Sequence, residues 1–84
     1  MITRNSPDGS KNIVGKQVKE LREANGLSQR GLAQKLQLKG YDMEKSTITK
    51  IEGNKRQVTD MELKAFVEIF GVDYGYLING KTDE

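Results

Sequence analysis

The chain has 84 residues, which is enough for one small domain, and its 14 Lys and Arg against 12 Asp and Glu leave a net charge of +2. It contains no cysteine and no histidine, which excludes a disulfide framework and removes the side chains that most often act as metal ligands or general bases. We therefore expect no catalytic residues, no metal and no cofactor, and we interpret the chain as a protein that is not an enzyme.

The N-terminal segment 1–12 is polar, holds Pro7 and Gly9 close together, and is predicted to be a disordered tail. It lacks the apolar stretch of a signal peptide, and no run in the chain approaches the roughly 20 apolar residues of a membrane helix. We therefore predict a cytoplasmic protein with no membrane partner. A second short tail is predicted at 81–84, which leaves 13–80 as the domain.

Apolar residues at helical spacing predict a first helix from Ile13 to a stop at Asn25-Gly26. The apolar stripe of this helix consists of Val14, Val18 and Leu21. Ser28 is the predicted N-cap of a second helix, which ends near Leu38. The apolar face of the second helix consists of Leu32, Ala33 and Leu36.

A third helix is predicted from Lys45 to Glu52, with Asp42 or Glu44 at its start. Gly53-Asn54 ends it, because both residue types tolerate a positive φ. The residues between Leu38 and this helix form a predicted loop.

Thr59 and Glu62 have the spacing of a capping box and predict the start of a fourth helix, which Gly71 ends. Asp73 is expected to cap a fifth, short helix that stops at Asn79-Gly80. No segment alternates with a period of two. The fold class we predict is therefore all-α, a compact bundle of five short helices.

The outer face of the third helix is the main functional candidate. At about 3.6 residues per turn, the inner face holds Ile48, Ile51 and Glu52. The residues that remain on the outer face are Lys45, Ser46, Thr49 and Lys50. A face with two bases, two short hydroxyl residues and no acid suits the major groove of DNA, where we expect these four residues to contact base edges. The alternative is an ordinary solvated helix face.

Neighbouring segments place further donors beside that face. Gln29 and Arg30 lie in the first turn of the second helix, where side-chain donors and free N–H groups suit a phosphate. Lys55 and Arg56 are two bases in the loop after the third helix and can straddle a phosphate. We expect these four residues and Thr47 to contact the DNA backbone.

Charge is distributed unevenly along the chain. Residues 13–56 carry ten Lys and Arg against five Asp and Glu, or +5, whereas 57–84 carry two against six, or −4. This asymmetry favours a basic working face on the first half of the domain. The alternative is a chance fluctuation in a surface rich in charged residues.

Arg22 and Glu52 are charged residues that border apolar stripes, Arg22 on the first helix and Glu52 on the third. An unpaired carboxylate against apolar neighbours is costly, so a structural ion pair between the two is predicted. The alternative places Glu52 at a surface turn near Lys55 and leaves Arg22 solvated.

The residues of the second and third helices form a recognisable pattern. It runs through Leu27-Ser28-Gln29, then Leu32-Ala33 and Leu36, and continues in 46–53. This pattern resembles the Cro/phage-repressor helix-turn-helix family, often called XRE. The resemblance covers roughly Ile13 to Asn79 and implies a lambda repressor-like DNA-binding domain with the third helix in the major groove.

The resemblance also implies roles for individual residues. Gln29 matches the helix-two glutamine that contacts phosphate in the family. The residues that match base-reading positions of its recognition helix are Lys45, Ser46 and Lys50. Arg22 and Glu52 match a buried ion pair that is seen in several members.

The chain departs from the family pattern in two places. The usual Glu-X-Gly after the third helix is Glu52-Gly53-Asn54 here, which makes Asn54 the candidate left-handed residue. The link between the second and third helices is longer than the usual tight turn by about five residues, which 37–43 fill.

The sequence thus predicts specific binding of double-stranded DNA by a transcriptional regulator, a repressor of bacterial or mobile-element origin. The alternative is a protein-interaction module on the same fold, such as an antitoxin or an anti-repressor partner. The sequence leaves the oligomeric state open, and a homodimer is one alternative because dimers are usual on palindromic sites. Its candidate contacts near the C-terminus are Tyr74, Tyr76, Leu77 and Ile78, although Leu77 and one neighbour could instead belong to the core.

Overall fold

The computed structural model describes residues 11–79, so residues 1–10 of the predicted tail 1–12, Gly80 and the predicted tail 81–84 lie outside the described residues. Within 11–79 there are five helices and no strand, which confirms the predicted all-α fold. The helices are α1 (Gly15–Ala24), α2 (Gln29–Leu38), α3 (Lys45–Glu52), α4 (Asp60–Phe70) and α5 (Tyr74–Asn79). None of these helices is long and apolar enough to cross a membrane.

Three helices begin at capping side chains that the sequence predicts. The Oγ of Ser28 accepts a hydrogen bond of 2.9 Å from the N–H of the third residue of α2. Thr59 and Glu62 form a complete capping box at the start of α4. The Oδ1 of Asp73 accepts a 2.7 Å hydrogen bond from the N–H three residues later, at the start of α5. Each of these bonds satisfies a backbone donor that has no partner within its helix.

Left-handed residues end the helices at the predicted positions. Gly26 after α1 and Gly71 after α4 have φ angles of +69° and +68°. After α3 the left-handed residue is Asn54, with a φ of +59°, whereas Gly53 has a φ of −83°. The N–H of Lys55 then donates to the carbonyl of Lys50 at 2.9 Å, the bond that defines a Schellman motif. The departure from the family pattern is thus accommodated by asparagine in place of glycine.

The connection between α2 and α3 is long, as predicted, and it packs against the domain. It spans 39–44, and its Met43 is buried in the core. The hydroxyl of Tyr41 donates to Glu68 on α4 at 2.7 Å, and this hydrogen bond raises the pKa of Tyr41. Glu44 is the N-cap of α3, but its side chain makes no capping hydrogen bond.

The core lies where α3 packs on α1 and α2 and where α5 packs on α1 and α4. The buried apolar residues are Val14, Val18, Leu32, Ala33, Leu36, Met43, Ile48, Ile51, Ala65, Phe66 and Leu77. Leu77 was a candidate for the dimer contact, and the structure corrects this, because its side chain is fully buried. Tyr74 and Ile78 are exposed on the same helix, and Tyr76 is half-buried.

Asn12, the last residue of the predicted N-terminal tail, makes hydrogen bonds at the start of α1. The Oδ1 of Asn12 accepts hydrogen bonds from the N–H groups of Val14 and Gly15 at 3.1 and 2.8 Å. Asn12 therefore satisfies two backbone donors at the start of α1, whose N-cap residue is Val14, and the boundary between the tail and the domain stays a prediction. Polar composition alone does not distinguish a residue that bonds to a helix N-terminus from a solvated one.

Candidate nucleic-acid interface

Helix α3 presents two faces of opposite character. Ile48 and Ile51 on its inner face are fully buried. Thr47 is half-buried at the edge between the two faces. The four residues predicted to contact bases, all of which are exposed, are Lys45, Ser46, Thr49 and Lys50. Their angular positions on a regular helix place the two hydroxyl residues in the centre of the outer face and the two lysines at its edges.

Arg22 and Glu52 form a two-pronged ion pair that joins α1 to α3. The Nε of Arg22 lies 2.7 Å from Glu52 Oε2, and its Nη2 lies 3.0 Å from Oε1. The side chains keep only 11% and 5% of their exposure, so the pair is buried. The hydrogen bonds to Glu52 raise the pKa of Arg22 above its ordinary value. The Nη1 of Arg22 donates to the carbonyl of Leu27 at 2.8 Å, which connects the pair to the turn before α2.

Gln29 extends this network from the buried ion pair to the outer face of α3. Its Nε2 donates to Glu52 Oε1 at 3.0 Å, and its Oε1 accepts a 2.7 Å hydrogen bond from the hydroxyl of Thr49. The same hydroxyl lies 3.0 Å from the carbonyl of Lys45, so its single hydrogen is shared between two acceptors in the protein. Thr49 therefore has a methyl group and an oxygen lone pair to offer a ligand. The second amide hydrogen of Gln29 has no acceptor within 11–79, so it can bind an external one.

Arg56 is directed towards α4. Its Nη1 lies 2.9 and 3.0 Å from the two carboxylate oxygens of Glu62. Glu62 Oε1 also accepts the N–H of Thr59 at 3.0 Å as part of the capping box. The Arg56 side chain is 33% exposed, so part of its guanidinium remains accessible beside the loop. Lys55, which follows α3 directly, is exposed, and so is Arg30 on α2.

The predicted contact residues therefore fall into two groups. The N-terminus of α2 and the outer face of α3 are joined through the hydrogen bond between Gln29 and Thr49. The side chain of Arg56 is instead held by Glu62 of α4. Within 11–79, no three Asp or Glu side chains come together as they would for a metal ion.

Two residues of the interface region carry roles that the sequence reasoning missed. Asn12 Nδ2 donates to the carbonyls of Ile51 and Arg56 at 3.1 and 2.9 Å, so it contacts the end of α3 and the loop after it. Gly15 lies where a Cβ atom would overlap the carbonyl oxygen of Ile51 and the side chain of Asn54. An asparagine just before an apolar helical pattern signals a side-chain bond to the helix N-terminus, and a glycine in the first helical turn signals a close approach.

A family model described as a helix-turn-helix domain matches residues 15–82, from the start of α1 to beyond the end of α5. The chain belongs to the helix-turn-helix domain family. The comparisons with curated proteins and with solved structures gave no match. In a helix-turn-helix domain the second helix of the pair enters the major groove of DNA while the first crosses the backbone, so membership of this family points to DNA binding. Here the pair is α2 and α3, joined by the long connection 39–44.

Proposed function

We propose that this helix-turn-helix domain binds specific sequences of double-stranded DNA and regulates transcription in the cytoplasm, as a repressor of bacterial or mobile-element origin. The observation that carries the proposal is the two-faced character of α3. Its outer face is exposed and basic, and its inner face is held in place by Ile48, Ile51 and the buried ion pair of Glu52. A reading helix needs both properties, because its side chains must reach base edges from a fixed backbone.

The chemistry of the outer face supports direct contact with bases. Lys45 and Lys50 each offer an ammonium donor at one edge of the face, and guanine presents two acceptors in the major groove. Ser46, in the centre, has a short hydroxyl that can donate or accept. Because the Thr49 hydroxyl hydrogen already has acceptors within the protein, its methyl group is the part suited to the methyl of thymine.

The surrounding residues supply contacts to the DNA backbone in this proposal. Gln29 is held by Glu52 and has a second amide hydrogen without an acceptor in the described part of the chain, so it offers a preorganised donor to a phosphate. Arg30 and Lys55 are exposed cations on either side of α3 in the chain. Thr47 can contribute a hydroxyl at the edge of the helix. Arg56 contributes less in our account, because Glu62 already holds its guanidinium.

We also infer that two copies associate through the exposed face of α5. Tyr74 and Ile78 lie one turn apart on that face and are 47% and 43% exposed. Two copies on a palindromic site bind half-sites about 34–36 Å apart. The described residues span 36 Å in their longest dimension, so neighbouring copies would be close enough to touch.

Selection of bound sequences from random duplex DNA tests the proposal. We expect the wild-type chain to enrich one consensus with two-fold symmetry. Its affinity for the selected duplex should fall steeply as salt rises, because several phosphate contacts release counterions. A protein-interaction module would enrich no sequence and would bind duplex DNA weakly or not at all, and that result would refute the proposal.

A further inference from the structure

Asn12 uses both ends of its side-chain amide to connect two parts of the domain. Its Oδ1 accepts from the N–H groups of Val14 and Gly15 at the start of α1. Its Nδ2 donates to the carbonyl of Ile51 in the last turn of α3 and to the carbonyl of Arg56, 39 and 44 positions away in sequence. A single side chain thus bridges the N-terminus of one helix and the C-terminal exit of another.

The segment that Asn12 contacts is the loop 53–57, which carries the exposed Lys55. The carbonyl of Ile51 accepts a second hydrogen bond, 3.0 Å long, from the N–H of Asn54, the left-handed residue of the Schellman motif. Asn12 therefore shares an acceptor with the motif that turns the chain out of α3. The loop is held at its first bend and again at Arg56, with Lys55 between the two points.

Two further contacts keep this junction close. The N–H of Lys11 donates to the carbonyl of Asn54 at 3.1 Å, so the backbone before α1 runs against the loop. Gly15 leaves no room for a side chain between α1 and the carbonyl of Ile51. Three features therefore bring α1 close to the loop: the backbone hydrogen bond of Lys11, the side-chain amide of Asn12 and the absence of a Cβ atom at Gly15.

We propose that Asn12 is a positioning residue for DNA binding, which fixes the loop 53–57 so that Lys55 meets a phosphate while α3 lies in the major groove. The inference rests on the proposed function. The two ends of the Asn12 amide have separate roles: the oxygen accepts from the start of α1, and the NH₂ group holds the loop. A side chain that accepts from the start of α1 without reaching the loop separates the two roles.

Asn12→Ser is that variant. A serine hydroxyl at position 12 can still accept from the N–H groups at the start of α1, but it is too short to keep the hydrogen bonds to the loop and adds no charge near DNA. Val67→Ala serves as the control, since it shortens a half-buried side chain that packs against the core from α4, outside the loop, and so lowers stability. Both variants are prepared as the full chain.

The first measurement is the salt dependence of affinity for the duplex that the wild-type chain selects. We expect Asn12→Ser to bind that duplex several-fold more weakly, with the slope of log K against log salt reduced by about one, which corresponds to one lost phosphate contact. Adding Lys55→Ala to Asn12→Ser should reduce the slope no further, because the two changes remove the same contact. Val67→Ala should keep the wild-type slope.

The second measurement needs no DNA. Amide hydrogen exchange of Asn54 and Lys55, both hydrogen-bonded in the Schellman motif, should become faster in Asn12→Ser than in Val67→Ala. Unchanged exchange at these amides, or a wild-type slope in Asn12→Ser, would overturn the inference and leave the proposed function intact. A wild-type chain that binds no duplex would instead refute the proposed function, and the role of the loop with it.

Discussion

Replacing Glu52 with alanine tests how the recognition region is held together. The change removes both hydrogen bonds of the ion pair and leaves the guanidinium of Arg22, itself only 9% exposed, with the carbonyl of Leu27 as its nearest strong acceptor. Removing one partner of a buried pair costs about 3–5 kcal/mol, whereas an exposed pair is worth at most about 1 kcal/mol. Gln29 loses the acceptor for its amide as well.

The expected loss is large for a domain of this size. A chain of 84 residues has a total free energy of unfolding of about 4–13 kcal/mol. At about 4–8 °C per kcal/mol for a small domain, a loss of about 3–5 kcal/mol means that Glu52→Ala should lower the melting temperature by about 12–40 °C. Thermal unfolding followed by circular dichroism measures this directly. Arg22→Ala should give a loss of similar size, because it leaves the carboxylate of Glu52 buried without its cation.

Two controls distinguish a buried pair from charge in general. Arg56→Ala breaks a more exposed pair with Glu62 and should cost about 1 kcal/mol or less. Replacing Arg22 and Glu52 together by methionine and leucine should recover much of the stability, because no charge is then stranded. If Glu52→Ala and Arg22→Ala each lowered the melting temperature by only one or two degrees, the buried pair and the packing of α1 on α3 through it would be refuted.

Three other predictions concern the close approach of α1, the phosphate contacts and the dimer. Gly15→Ala should destabilise the domain by about 1–3 kcal/mol in urea unfolding, since its Cβ overlaps backbone, whereas Gly31→Ala should change stability by about 1 kcal/mol or less. Lys55→Ala should weaken binding to every duplex sequence equally and lower the slope of log K against log salt by about one. Arg56→Ala should lower that slope less, because Glu62 already holds its guanidinium. A larger decrease for Arg56→Ala than for Lys55→Ala would contradict the assignment of the phosphate contact to Lys55. Ile78→Asp should make the protein monomeric in sedimentation experiments, and a monomeric wild type would refute the dimer.

Local signals in the sequence account for most of what could be predicted. Ser28 and Thr59 begin helices because capping depends on residues within one turn. The chain turns at Asn54 in the left-handed conformation, which asparagine tolerates better than most residues other than glycine. Arg22 and Glu52 were paired from helical periodicity alone, since each is a charge beside an apolar stripe.

The features that could not be predicted depend on contacts between distant parts of the chain. Gln29 was assigned to phosphate alone, and its bonds to Glu52 and Thr49 arise only when α2 and α3 are packed together. Asn12 contacts carbonyls about 40 positions later in the chain, and no local pattern specifies such partners. The apolar pattern is compatible with Leu77 in the core or at a dimer interface. The packing of α5 on α1 and α4 buries Leu77 in the core.

The central claim is that the outer face of α3 determines which DNA sequence is bound. The most direct test repeats the selection from random duplex DNA with Lys50→Ala and Ser46→Ala, beside a control, Lys64→Ala, that removes an exposed lysine of α4. Each α3 variant should alter the consensus at one or two positions, with about 1–3 kcal/mol of discrimination lost at the affected base pair, while the control keeps the wild-type consensus. An unchanged consensus in both α3 variants would contradict the claim that α3 reads the bases.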